Sequence, residues 1–296
     1  MNPVPRDAAV LRAMPVVFVL IWSTGFIVAR YGMPHAPPFK FLALRYALSI
    51  GCFLPWIWLA RSSWPPRGRQ WLHLAVTGVL MHACYLGGVW AAVKAGMGSG
   101  VSALIVGLQP VLTALWLSST GAQVSKRQWM GLALGFAGLA LVVSRKFGQG
   151  HAGDQVDLPN LAFALAALLS ITVGTLYQKR FVAPCDVRTA NVLQLAAALV
   201  VTLPLAGLES EGMEWNAELA GAMAWSVLAL TLGGSSLLYL LIQRGAATAV
   251  ASLFYLVPPC TALMAWLLFA EPINAATLTG IVLTAFGVSL VVRKSR

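Results

Sequence analysis

The chain has 296 residues, of which 59% are hydrophobic and only 10% are Asp, Glu, Lys or Arg, with a mean hydropathy of +0.79. A soluble domain carries about a quarter charged residues, so this composition excludes a water-soluble globule; the apolar excess must face lipid. The net charge of +11 would suggest nucleic acid in a soluble protein, but here the basic residues sit in short clusters between long apolar runs, which makes the bilayer surface their partner and not nucleic acid.

A helix crosses the hydrocarbon core in about 20 apolar residues. Segments of that length predict ten transmembrane helices, at 10–31, 39–60, 70–93, 97–119, 126–144, 159–179, 188–207, 217–243, 247–269 and 274–292. Pro37, Pro38, Pro65, Pro66, Gly96, Gly121, Pro184, Gly245 and Pro272 punctuate the gaps. Arg6 and Arg12 at the start of the first segment imitate a signal peptide, but that segment is too long and nine more follow it. A cytoplasmic N-terminus puts Arg67, Arg69, Lys126, Arg127, Lys179, Arg180 and the terminal Arg293, Lys294 and Arg296 on the cytoplasmic side, and Glu209, Glu211, Glu214, Glu218 and Glu271 on the other. Both termini are therefore predicted cytoplasmic. Cys52, Cys84, Cys185 and Cys260 have no pairing or metal spacing and read as packing residues; no metal or cofactor is expected.

Shifting the chain against itself by 149 residues superposes Gly25 on Gly174, Pro55 on Pro204, Gly96 on Gly245, Pro110 on Pro259, Gly131 on Gly280 and Gly138 on Gly287. The glycines and prolines carry this repeat, because Leu and Val coincide by chance in any two apolar sequences. Each copy, 1–148 and 149–296, then holds five helices. An odd number makes the second copy enter the membrane from the opposite face. The fold expected is an all-α membrane protein of ten helices in two inverted five-helix repeats, with a substrate path between the halves near the bilayer midplane.

The residues also resemble a known family. Leu20 to Phe26 in the first helix, Arg45 in the second, the stretch from Ala91 to Gly96, Gln109 with Pro110, and in the second half Gly245 to Ala249, Leu256 to Pro259, Glu271 with Pro272 and Gly280 to Leu283 are similar to the EamA type of the drug/metabolite transporter superfamily. The resemblance covers nearly the whole chain. It implies a bacterial-type inner membrane protein that exports small metabolites or amino acids, commonly hydrophobic or aromatic ones. One departure is Ala122, where the repeat and the family pattern would put a glutamate like Glu271.

No GxxxxGK[ST] motif is present, so transport is expected to be secondary or facilitative rather than driven directly by ATP. Every carboxylate falls in a loop or at a helix end, which points away from a carboxylate-driven proton pump and leaves His82 as the one buried titratable candidate. Polar and aromatic residues in apolar helices either line a wet cavity or pair with a neighbour. The substrate-binding candidates are Trp22, His82, Tyr85, Trp90, Gln109, Tyr177, Ser235, Tyr239 and Tyr255. The resemblance implies that helices one, three, four, six, eight and nine form the cavity wall.

Aromatic walls, neutral donors and no fixed charge would suit a zwitterion with a large apolar side chain. Arg45 and Lys94 are expected to snorkel toward the outer end. A multidrug or organic-cation exporter is the alternative, although it would want an intramembrane acid. Pro55, Pro110, Pro204, Pro258 and Pro259 are hinge candidates, each expected to remove a helical hydrogen bond. Gly131, Gly135 and Gly138, with Gly280, Thr284 and Gly287, put small residues on one face of the fifth and tenth helices for close packing.

Overall fold

A computed structural model describes residues 5–119, 125–146, 155–238, 256–271 and 273–292. The described elements are α1 (Pro5–Gly32), α2 (Pro38–Leu59), α3 (Arg69–Lys94), α4 (Ser99–Val106), α5 (Gln109–Ser119), α6 (Lys126–Lys146), α7 (Leu158–Phe181), α8 (Val187–Leu208), α9 (Ala217–Leu238), α10 (Val257–Phe269) and α11 (Ala275–Val292). Among the described residues, seven helical spans are long and apolar enough to cross a membrane, the α4–α5 pair counting as one, and three shorter apolar helices lie in α1, α10 and α11. Large apolar side chains stand exposed all round the bundle, including Leu169 on α7, Val200 on α8, Leu267 on α10 and Phe286 on α11. In water such a surface would drive aggregation; in a bilayer it is the surface the solvent requires.

Local sequence explains where the helices start. Asp157 and Asn160 form a reciprocal capping box at α7. Asn216 accepts the Leu219 N–H at α9, and Asn274 the Thr277 N–H at α11, each at 2.8 Å. These caps satisfy backbone donors that the first helical turn leaves free. At α8 the cap is Asp186, which accepts from the Arg188 backbone N–H at 2.9 Å and from its guanidinium Nη2 at 2.7 Å. Those bonds hold the Asp186 carboxyl below its ordinary range.

A depressed carboxyl stabilises the fold fully above its unfolded value of about 4, and the contribution disappears as pH falls through the lowered value. Asp186→Asn is therefore expected to cost about 0.5–1 kcal/mol at neutral pH, a discount for partial exposure included. Thermal melts in detergent should show the variant and the wild-type protein converging in acid; a constant gap would refute this.

The helices pack in pairs: α6 along α11, α2 along α8, α3 against α7, and α1 against α9 and α10. In the first of these pairs, a Cβ on Gly138 would lie 2.6 Å from the Gly280 carbonyl oxygen, and one on Gly287 would lie 2.5 Å from that of Gly131. The small residues expected to allow close packing do so here. α3 and α9 each contain a π-helical stretch, at Val79–Cys84 and Ser226–Ser235.

The prolines divide. Pro55 and Pro204 lie inside α2 and α8. Pro110, Pro258 and Pro259 lie in the first turns of α5 and α10, where a missing N–H costs no helical bond, so the expected loss does not apply to them.

One end of the bundle carries most of the acids and is laced together. Glu209 accepts the Phe39 and Lys40 backbone N–H groups at 2.9 and 2.8 Å, capping α2. Lys94 Nζ pairs with Glu211 at 2.7 Å, a contact that holds the Glu211 carboxyl below its usual range. His35 meets Glu218 at 3.1 Å. Glu271 accepts from the Ser99 and Gly100 N–H groups at the start of α4, at 3.0 and 3.3 Å.

Candidate functional site

A cavity lies between α1, α2, α3, α7, α8 and α9, with about 840 Å³ of space free of atoms when its part open to solvent is included. The described stretches of α4, α5 and α10 contribute no wall residues, whereas α2 and α8 do. α4 is enclosed by α1, α7 and α10.

α3 supplies more of the wall than any other described helix, with Met81, His82, Tyr85, Leu86, Val89 and Trp90. Trp90 stacks on Phe41 with ring centroids 4.4 Å apart, and Gly32 leaves room for both rings, since a Cβ there would lie 3.4 Å from each. The π-helical turn presents His82 to the cavity and its carbonyl to Tyr46, whose hydroxyl donates to it at 2.8 Å. Trp22, Gly25 and Phe26 enter from α1, Gln178 from α7, Asn191 and Gln194 from α8, and Leu230, Ser235 and Leu238 from α9. The Ser235 hydroxyl also turns back on the Leu230 carbonyl, a contact five residues along that the π-helical backbone permits.

Arg45 departs most from expectation. It does not snorkel: the side chain lies inside the bundle, 5% exposed, and lines the cavity. Its Nε and Nη2 donate to Thr231 Oγ1 at 3.2 and 3.1 Å, and that hydroxyl donates in turn to the Ser226 carbonyl at 2.9 Å. The cavity therefore has a fixed positive charge, contrary to the uncharged site expected. Lys94 does sit at the acidic end, where Met33 O and Glu211 receive it.

The structure brings Trp22, His82, Tyr85, Trp90 and Ser235 to the cavity. Gln109 and Tyr177 are elsewhere. Gln109 Nε2 donates to Thr175 Oγ1 at 3.0 Å, and the Tyr177 hydroxyl meets His73 Nδ1 at 2.8 Å beside Phe181, so their polar atoms are satisfied between helices. Tyr239 and Tyr255 lie outside the described residues. Sequence reasoning missed Asn191 and Gln194 as wall residues. The repeat held the signal, because Gln194 stands 149 residues after Arg45 and Thr231 stands 149 after His82.

Comparison with known proteins agrees with this architecture. The chain is 27% identical over 272 residues to the inner membrane transporter YedA of Escherichia coli K12, spanning 91% of this chain and 84% of that protein. It is 24% identical over 285 residues to a probable amino-acid metabolite efflux pump of Salmonella typhimurium, spanning 93% and 92%. A solved crystal structure only 18% identical in sequence has the same fold, with a TM-score of 0.65 over 94% of this chain and 95% of the other. The description of the EamA-like transporter family matches residues 13–144 and 158–293, nearly the full length, and the chain belongs to that family of multi-pass membrane proteins.

Proposed function

We propose that the protein is a secondary or facilitative transporter of the inner membrane, exporting small metabolites by alternating access of two inverted five-helix repeats, 1–148 and 149–296. Amino acids with hydrophobic or aromatic side chains fit the cavity best. The observation that carries this reading is that contacts around the cavity recur with the repeat spacing. Arg45 meets Thr231, and the residues related to them by the shift of 149, Gln194 and His82, line the same cavity. Gly25 faces Leu230 and Gly174 faces Met81 in the same relation.

The crossing of α6 and α11 supports the inversion. Gly131 contacts Gly287 while Gly138 contacts Gly280, and the pairs interchange under the shift of 149. Such reciprocity is what a two-fold relation demands. Thr284 Oγ1 donates to the carbonyl of Gly135, the position 149 residues before it, at 3.4 Å, which supports a pseudo-axis passing there. A cavity straddling such an axis can be exposed to each side in turn when the halves exchange conformations. The two π-helical stretches also occupy related positions, and their irregular backbones are credible points of flexure beside the site.

Aromatic faces at Trp22, Tyr85 and Trp90 favour flat apolar groups, by about 0.5–1.5 kcal/mol per ring pair beyond burial. The name of the Salmonella relative agrees with amino-acid metabolites. The same aromatic faces would also attract an organic cation, which keeps the multidrug reading as the alternative. We place both termini, and the basic end of the bundle, in the cytoplasm.

Counterflow in proteoliposomes with a panel of labelled amino acids and organic cations tests the proposal. Exchange of phenylalanine or tyrosine is expected, with a loss of about tenfold or more in Trp22→Ala and in His82→Ala when purified as monodisperse protein. Unchanged exchange in both would remove the cavity assignment, and preference for cations would establish the alternative. A steep dependence of flux on a proton gradient would contradict the facilitative mode.

A further inference from the structure

Arg45 is the one side chain with a permanent charge among the described residues that line the cavity. Thr231 Oγ1 takes one edge of its guanidinium, from Nε and Nη2. Nη1 is buried and has no hydrogen-bond partner. No Asp or Glu stands among the described wall residues. An unmatched guanidinium inside a membrane protein is costly, and it is kept where an anion arrives to complete it. The free edge, Nη1 with the second proton of Nη2, has the fork geometry that grips two oxygens of one carboxylate.

We propose that Arg45 is the anchor for the carboxylate of the transported solute. This rests on the transporter reading of the cavity and deepens it: the carboxylate is the recognised group, the apolar tail lies among Trp22, Tyr85 and Trp90, and the amino group is dispensable. The last point follows from the wall. The described wall offers an ammonium neutral amides such as Asn191 and Gln194 and the faces of aromatic rings, but no carboxylate to hold it. A single guanidinium balances a single negative charge, so a carboxylate fits better than a phosphate dianion. Organic acids derived from amino acids, as well as the amino acids themselves, are thus in the substrate class, whereas the corresponding amines are not.

Hydrocinnamate and phenethylamine are L-phenylalanine without its amino group and without its carboxylate, respectively. In counterflow of labelled L-phenylalanine, hydrocinnamate is expected to compete and phenethylamine is not. Arg45→Gln should weaken the carboxylate probes by about 30-fold or more, and Arg45→Lys, which keeps the charge without the fork, by about tenfold. Thermal stabilisation of the wild-type protein in detergent supplies a measurement that needs no variant: hydrocinnamate should raise the melting temperature and phenethylamine should not.

Competition or stabilisation by phenethylamine as strong as that by hydrocinnamate overturns the proposal. So does Arg45→Gln protein that retains full carboxylate affinity, stabilisation by inorganic phosphate in place of the carboxylates, or wild-type protein stabilised by neither carboxylate probe. Carboxylate binding lost in Arg45→Gln, but without flux of any solute, would support the anchor while overturning the transporter reading. Flux indifferent to carboxylates would overturn the anchor alone.

Discussion

Gly78→Ala is expected to remove most of the folded protein. A Cβ at this position would fall on the Gln194 backbone where α3 crosses α8, overlapping its carbonyl oxygen and lying 2.5 Å from its Cα. Real Cβ atoms do not approach that closely, and backbone cannot swing aside as the tip of a side chain can. The helices must separate by about 1 Å along a buried seam, and overpacking of this kind costs about 1–3 kcal/mol or more. Gln194 also lines the cavity, so the displacement reaches it, and there an error of about 1 Å can cost about 100-fold in function.

Gly51→Ala in α2 is the control. Nothing lies within 4 Å of its Cβ position, and the exchange should be neutral or stabilising by up to about 1 kcal/mol. Melting temperatures and monodisperse yield in detergent report both. Equal stability of the two variants would mean that α3 and α8 do not cross this closely.

The second large effect is expected at Glu271. Only 7% exposed, its carboxylate takes the N–H groups of Ser99 and Gly100, which opens α4 with a negative charge at the positive end of the helix dipole. Glu271→Ala leaves two donors with no acceptor, each costing about 1–3 kcal/mol where water does not reach. Relaxation recovers part of this, so a loss of about 2–4 kcal/mol is expected. Glu271→Gln keeps one good acceptor and should lose about half as much. Hydrogen exchange of the α4 amides should quicken in Glu271→Ala while the α6–α11 pair keeps its protection. Uniform loosening of both, or of neither, would count against a local cap. The repeat counterpart, Ala122, lies outside the described residues, and its sequence alone shows that the first half lacks the matching acid.

Residue type marks the polar and aromatic groups of a span without separating those at the cavity from those between helices. Trp22, His82, Tyr85, Trp90 and Ser235 were named because aromatic and polar groups stand out in an apolar run, and the structure gathers them at one cavity. Gln109 and Tyr177 stand out equally, yet Thr175 and His73 satisfy them between helices. Residue type says that a polar group needs a partner; it does not say whether the partner is water, solute or a neighbouring helix. Arg45 was assigned to the surface because a charge in a span usually snorkels. Its depth depends on Thr231, 186 residues away, offering the hydroxyl that holds it inward.

The sequence by itself determined that this is a membrane protein, where its apolar spans lie within a few residues, and which glycines and prolines recur at a spacing of 149. Those properties follow from chain length against bilayer thickness and from residue identity, and both are local. The tertiary structure alone decided which side of each helix meets the cavity. In a soluble protein the polar stripe of a helix would reveal its buried face, but here lipid and core are equally apolar and the helices are hydrophobic on every side. The face turned inward is chosen by packing: by Gly78 against Gln194, Gly138 against Gly280, and Trp90 on Phe41.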